Sequence, residues 1–337
     1  MVDGYIAYAS ARATQADALE AAIPRISGEV LALRESGGLT GPGPIFVGIG
    51  ASLAAACAPV WELRQRGVHS WRLGAGDHPL PFPASVHPII GISQSGKSTE
   101  TLAVLESVDP TLRYAVVNAQ PSPVSTISTR TLSLGNIPDS YASTIGYTAT
   151  ITGLGMIADA WDGGEIDSRW VELPDLFRWT EQTVGARAGE LAATFAGAAT
   201  ADFVGAGPSV GSAEAGALLF REVARVHAAG MSTRQYLHGS MESAGDGVHV
   251  LFGEERELDL ARMLAGAGHR VILISTAAVP EETNLQTVQL PLVGPAQHAI
   301  LEALVMQILV GEVAIQHGID VEEFVFHHND TKVEGTA

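Results

Sequence analysis

The phrase Ile45-Phe46-Val47-Gly48-Ile49-Gly50-Ala51-Ser52-Leu53 returns 157 residues later, close to half the chain, as Phe203-Val204-Gly205-Ala206-Gly207-Pro208-Ser209-Val210. An apolar run that ends in glycine and opens into a helical pattern begins a strand–turn–helix unit. Each copy heads a series of such units, so the chain reads as one α/β domain duplicated in tandem. Strands are expected at 45–49, 69–73, 87–92, 113–117 and 131–134, and again at 202–205, 231–235, 247–252, 270–274 and 287–290. Helical stretches separate them. This alternation calls for parallel sheets covered on both faces, and right-handed crossovers make each sheet doubly wound. Ligands of such sheets bind at the carboxyl ends of the strands.

The first domain is expected over 41–162, after a helical lead-in over 1–40. In that lead-in Ala16, Leu19, Ala22, Ile23, Ile26, Val30 and Leu33 recur at helical spacing, which suits packing across a subunit interface or a plain surface helix. A linker rich in Asp, Gly and Glu lies near 162–174. A helix over 175–196 opens the second domain, 175–325, and residues 326–337 form a tail.

Chemistry gathers where the third strand ends. Pro88-Ile89-Ile90-Gly91-Ile92 reads as a buried strand and Ser93-Gln94-Ser95-Gly96 as a turn; a helix follows from about Ser98. Such a turn leaves backbone N–H groups free beside the positive end of a helix dipole, an arrangement that holds phosphate. The hydroxyls of Ser93, Ser95 and Ser98 add donors, Gly96 lets the backbone close on a ligand, and Lys97 can supply a charge from the same turn. Residues Gly91–Ser98 also match the nucleotide-loop pattern GxxxxGK[ST] letter for letter. That loop needs its first glycine to end the strand and an aspartate to close a later one. Here Ile92 still reads as strand and the next strand ends at Asn118, so nucleotide hydrolysis is the weaker rival.

With 19 Lys+Arg against 37 Asp+Glu the net charge is −18, which argues against nucleic acid or an anionic membrane as partner. It does not argue against phosphate, since backbone amides make positive potential locally. A single cysteine, Cys57, among Ala54, Ala55, Ala56 and Ala58, excludes an intramolecular disulfide and reads as a buried helix residue. The N-terminus lacks a basic start and a long apolar core, and no run reaches the roughly 18 apolar residues of a membrane span. A soluble, cytoplasmic protein is the expectation. His327-His328 beside Asp330 invites a metal reading, but adjacent histidines point in different directions, and no metal is expected.

Ser93-Gln94-Ser95-Gly96-Lys97-Ser98 resembles the Ser-Gln-Ser-Gly-x-[ST] loop of the sugar isomerase (SIS) family of phosphosugar isomerases and binding proteins, which includes the isomerase half of glucosamine-6-phosphate synthase. Further stretches resemble the family in the same order. Asp139-Ser140-Tyr141-Ala142-Ser143-Thr144, opening a helix over Ile145–Ala160, is similar to the Val-Ala-Ser-Thr stretch that lines the sugar pocket. Glu214–Val223 is similar to Glu-Gly-Ala-Leu-x-Leu-Lys-Glu, and Tyr236-Leu237-His238-Gly239-Ser240 to Lys-His-Gly-Pro. The 16 residues from Glu222 to His238 are the family's spacing.

The resemblance implies two tandem SIS domains, each a flavodoxin-like αβα sandwich. It implies that Gly50, Ala51 and Ser52, with Ser93, Gln94, Ser95 and Ser98, hold a sugar phosphate, and that Tyr141 and Ser143 line the sugar pocket, Tyr141 narrowing it. Capping is the alternative role for Ser52, before a helix over 53–66, and for the 139–144 cluster. Glu222 would carry a proton between C1 and C2, and His238, reaching across a homodimer interface, would assist ring opening. One carboxylate of raised pKa suits the proton transfer, and an imidazole suits the ring hydroxyl. The tail departs from the pattern: the synthase lysine falls on Asn329, and Lys332, three places on, is the candidate to reach the sugar. The synthase also has glutamate where Lys97 stands. In the second copy Gly253-Glu254-Glu255-Arg256 would repel phosphate, so the first copy alone is expected to keep the cradle.

The function implied is aldose–ketose isomerisation of a hexose or hexosamine 6-phosphate, or deamination of an amino-sugar phosphate, without metal or organic cofactor. No glutaminase segment with its N-terminal cysteine is seen, which points away from glutamine-dependent synthesis. A non-catalytic phosphosugar sensor is the rival; residues 1–40 are too short and too poor in basic residues for a DNA-binding helix-turn-helix, so it would act on a protein.

Overall fold

The computed structural model describes residues 4–322, 324–326 and 330–333. The chain divides into two units, Met1–Leu173 with Val325–Ala337, and Pro174–Phe324. In the first, β1 (Ile45–Gly48), β2 (Trp71–Gly74), β3 (Ile89–Ser93), β4 (Arg113–Val117) and β5 (Arg130–Ser133) form a parallel sheet ordered β2-β1-β3-β4-β5. All of β3 is buried, as a strand covered on both faces must be; Ile89, Ile90 and Ile92 each contribute about 1.5–3 kcal/mol by leaving water.

On one face lie α2 (Gln15–Glu35), α3 (Ala51–Ala55), α4 (Cys57–Gln65) and α7 (Ile145–Ala160), with α1 (Tyr8–Ala13) against α2; on the other lie α5 (Thr99–Glu106) and α6 (Pro123–Ile127). The apolar side of α2, with Leu19, Ile23, Ile26 and Val30 buried, is spent on α7 and β5 of its own unit. Its apolar residues thus pack within the unit, and it is not the plain surface helix that was one of the two expectations. The single helix expected over 53–66 is two, α3 and α4, with Ala56 between them, and Cys57 is buried as expected. Gly50, at φ 57°, precedes α3, so Ser52 sits inside the first turn and is not its cap.

The second unit repeats the topology. β6 (Thr200–Gly205), β7 (His227–Ser232), β8 (Val248–Phe252), β9 (Arg270–Ser275) and β10 (Leu285–Gln289) are parallel in the order β7-β6-β8-β9-β10. The helix expected over 175–196 is interrupted, giving α8 (Leu173–Gly185) and α9 (Ala188–Ala193). α10 (Val210–Val223) packs on β6 and β7 and against α13 (Pro295–Gln316), while α11 (Thr233–Leu237) and α12 (Arg256–Gly266) share the other face. The strand expected over 231–235 stops at Ser232, because the Ser232 hydroxyl accepts the Gln235 N–H at 3.3 Å and starts α11.

In both repeats the strand ends on a glycine because the serine four residues on folds back over it: a Cβ on Gly48 would meet Ser52 Cβ at 3.0 Å, and one on Gly205 would overlap the Ser209 backbone. α13 is long and apolar enough to cross a membrane by length and composition, against the count made from uninterrupted apolar runs; most of it is buried inside its own unit.

Candidate functional site

Strand order reverses between β1 and β3, so the turns after these two strands open side by side at the carboxyl edge of the first sheet. β3 runs through Ser93, which puts Gly91 in mid-strand, where a Cβ would come within 2.7 Å of Leu105 Cδ1 on α5. Gly91 therefore serves helix-on-strand packing. The strand does not stop there, as a nucleotide loop requires, and the turn is only Gln94–Ser98.

Within that turn the buried Ser93 places Oγ 2.9 Å from Ser98 Oγ, and Ser95 Oγ accepts the Lys97 N–H at 3.3 Å. Gly96 adopts φ +63° and returns its N–H to the Ser93 carbonyl at 3.1 Å, closing the turn tightly. Ser98 precedes α5 without capping it, its hydroxyl being turned to Ser93. On the neighbouring turn, the Ser52 hydroxyl has no partner among the described residues. Both amide atoms of Gln94 are buried and without a partner among the described residues, a cost on the order of 1–3 kcal/mol that a bound ligand can return.

Asp139, buried, organises the third stretch. Its carboxylate accepts the Thr144 hydroxyl at 2.7 Å, the Ser143 hydroxyl at 2.8 Å, and the Ser140 and Gly146 N–H groups at 2.9 Å. A Cβ on Gly146 would stand 2.5 Å from Asp139 Oδ2 and 2.6 Å from Gln94 Cδ, so the Gln94 amide and this carboxylate lie together over the start of α7. Ser143 thus takes part in the capping arrangement that the sequence left open. The Tyr141 ring, exposed, rests on Tyr5 with centroids 3.8 Å apart.

The described tail runs antiparallel past the serine turn. Thr99 N–H reaches the Thr331 carbonyl at 3.2 Å, Val333 N–H the Lys97 carbonyl at 3.0 Å, and Thr99 Oγ1 the Asp330 carbonyl at 2.9 Å. Ser98 and Lys332 are then a non-hydrogen-bonded pair, whose side chains leave the same face close together. Lys97 and Lys332 are the only lysines in the sequence, and the fold brings them to adjoining places. Neither ammonium has an ion-pair partner among the described residues. Asn329 and the His327-His328 pair lie outside the described residues; among those described, no group of three or more His, Cys, Asp or Glu side chains gathers to hold a metal.

In the second unit Glu222 occupies the last turn of α10, half-buried, and burial alone pushes its carboxyl up to about 7. The residue that turns the chain out of this helix, Arg225, adopts φ 54°, a left-handed conformation uncommon outside glycine. His238 caps the carboxyl end of α11, exposed, and is followed by Gly239 at φ +139°.

The second copy of the cradle is filled from within. Ser209, the counterpart of Ser52, gives its hydroxyl to Glu302 at 2.7 Å, and Ser212 bonds the same carboxylate. Glu254, which the sequence marked as repelling phosphate, takes the Thr276 N–H at 2.7 Å, the Ser275 hydroxyl at 2.8 Å and the Ala277 N–H at 3.2 Å. Internal carboxylates occupy donors that an external anion would otherwise use. Sequence reasoning missed Asp139 as the centre of its cluster, and it missed the buried Tyr236–His249 pair with half-buried Asp202 beside it; a histidine inside an apolar strand gave no periodic signal.

No family model matches the chain. It is 27% identical over 263 residues to a glutamine–fructose-6-phosphate aminotransferase (isomerizing) of Bradyrhizobium diazoefficiens, a match covering 69% of this chain and 42% of that protein. The chain thus spans less than half the length of that relative. The fold superposes on the C-terminal domain of glucosamine-fructose-6-phosphate aminotransferase from Francisella tularensis with a TM-score of 0.80 at 16% identity, covering 96% of this chain and 99% of that one. It superposes on tagatose-6-phosphate ketose/aldose isomerase from Escherichia coli with a TM-score of 0.76 at 17% identity, covering 95% and 96%. In sequence likeness, in fold and in the serine turn at the switch of its first sheet, the chain is similar to the phosphosugar isomerases of the SIS family.

Proposed function

We propose that the chain is an isomerase that moves a proton between C1 and C2 of a hexose or hexosamine 6-phosphate, as aldose–ketose exchange or, for an amino sugar, with loss of ammonia. The observation that carries this reading is the Gln94 amide, buried without a partner beside the Ser93–Ser98 turn. In this reading the phosphate ester sits on the hydroxyls of Ser52, Ser93, Ser95 and Ser98 and on the Gly50-Ala51-Ser52 turn, with Lys332 adding charge. Gln94, Tyr141 and Ser143 face the sugar.

His238, given by the second subunit of a homodimer, moves the proton from the C1 hydroxyl to the ring oxygen as the ring opens. Glu222, as carboxylate, then takes the proton from C2 while the C1 carbonyl oxygen gains one, leaving an enediol. It returns its proton to C1 as the O2 proton departs, and the C2 carbonyl forms. A carboxyl poised at about 7 gives up and takes back a proton with little driving force lost either way. This chemistry calls for no metal or organic cofactor.

Thermal-shift measurement with glucose, fructose and glucosamine 6-phosphates, against ATP with magnesium, tests the ligand class, since a ligand of the folded state raises the melting temperature by mass action. Stabilisation by ATP alone would overturn the reading. Glu222→Gln is expected to cut turnover by about 10²–10⁴-fold while leaving the ligand-induced shift in place; unchanged turnover removes Glu222 from the reaction.

A further inference from the structure

α11 is a single five-residue turn, too short to hold its shape without tertiary contacts. Two of its side chains are buried, Thr233 and Tyr236, and Thr233 Oγ1 has no partner. The polar anchor of the turn is therefore the Tyr236 hydroxyl. Tyr236 lies fully buried among Val204, Leu251, Leu260 and Leu264, with its hydroxyl 3.0 Å from His249 Nδ1 and the Asp202 carboxylate beside the pair. Asp202 and His249 are direct partners across β6 and β8, with Nδ1 and Oδ2 3.6 Å apart.

The partners assign the protons. The neighbouring Asp202 carboxylate can only accept, which turns the Tyr236 O–H toward it and has His249 Nδ1–H donate to the Tyr236 oxygen. That leaves Nε2 bare, and Nε2 is indeed buried without a partner. The other groups facing His249 are His269, whose ring stands edge-on with centroids 5.3 Å apart, and Arg270; with burial they hold the imidazole neutral, pushed down to about 4. Packing alone would be met by apolar residues at all three positions, and two buried polar groups beside a half-buried carboxylate are costly unless their geometry is used.

We propose that Tyr236, held by His249 and Asp202, is a positioning residue that fixes the height and rotation of the turn presenting His238. This rests on the role given to His238 above. His238 lies two residues beyond the anchor, and the chain leaves it through a glycine in a conformation that other residues rarely adopt, so the support comes from the side of Tyr236.

The test compares the full chain with Tyr236→Phe, His249→Leu, His249→Asn and His238→Ala. It reads hydrogen exchange over residues 232–239, and kcat and KM on the phosphosugar that the wild type turns over. Tyr236→Phe removes one oxygen and keeps the packing. It is expected to speed exchange in that segment about tenfold, leaving the rest of the unit unchanged, and to lower kcat about tenfold with KM held within about twofold. His249→Leu should match it, and His249→Asn, whose amide N–H can stand where Nδ1–H stands, should restore both readouts. Wild-type exchange and wild-type kcat in Tyr236→Phe would overturn the proposal, and that variant decides the matter if His249→Leu does not fold. Should His238→Ala leave kcat intact, the role of His238 fails instead, and the exchange data still decide whether the network holds the turn.

Discussion

Glu222 shows how one residue's surroundings set its chemistry and its effect on stability together. Its carboxyl is pushed up from its ordinary value near 4.5 to about 7 by burial, so the folded state binds the proton more tightly than the unfolded chain does. Stability contributed by this group is complete below pH 4.5, falls as the pH rises, and is gone once the pH has passed about 7. Glu222→Gln, which stays neutral, should therefore melt with the wild type at acid pH and above it by a margin that widens between pH 4.5 and about 7, then stays constant. Calorimetry across that range checks it, and a margin independent of pH would mean that the carboxyl is not desolvated. In the proposed reaction the same ionisation should give kcat/KM an acid limb near pH 7, because there the carboxylate form is the one that takes the C2 proton.

Elements were readable from sequence where their causes are local. A strand that ends on glycine and folds a serine back over it appears twice, at Gly48–Ser52 and Gly205–Ser209, and both turns formed where the repeated phrase put them. The serine turn after β3 was equally visible, since its hydroxyls, its glycine and the following helix lie within a few residues. What escaped was decided at a distance. The strand over Met231-Ser232 ends where Ser232 caps α11, and the buried Tyr236 of that turn meets His249 on another strand, a contact that no local pattern records. The pairing of Lys332 with Ser98 joins the two ends of the chain's numbering, which no periodicity records. Gly91 makes the contrast testable, because a phosphate-loop glycine and a packing glycine fail differently. Gly91→Ala would force a methyl against Leu105 Cδ1, built at 2.7 Å, and such overpacking costs about 1–3 kcal/mol. Denaturant unfolding should show that loss, and Gly91→Ala should cost less in a Leu105→Ala background than in the wild type, since Leu105 is what the methyl meets. A Gly91→Ala protein of undiminished stability would show that α5 does not seat on β3 as described.

At the scale of the whole molecule the two units share one strand order and use its carboxyl edge differently. The first keeps donors unspent at its switch point, with Ser52 and Gln94 lacking side-chain partners among the described residues, while the second gives the corresponding donors to Glu302 and Glu254. A repeat that fills its own cradle is free to supply other groups, and in the proposed reaction those are Glu222 and His238. The proposal places them in different roles within a twofold dimer: Glu222 acts in one site and His238 in the site of the other subunit. Symmetry then makes a quantitative forecast. Glu222→Gln and His238→Ala homodimers should both be inactive, but a dimer containing one of each has one site with both defects and one with neither. Random re-assortment makes half the dimers mixed, so the mixture should regain about a quarter of wild-type turnover. If the two residues serve the same site from one chain, every site keeps a defect and mixing recovers nothing. Recovery near a quarter, lost when the two variants are joined in one chain, would establish the exchange of His238 between subunits.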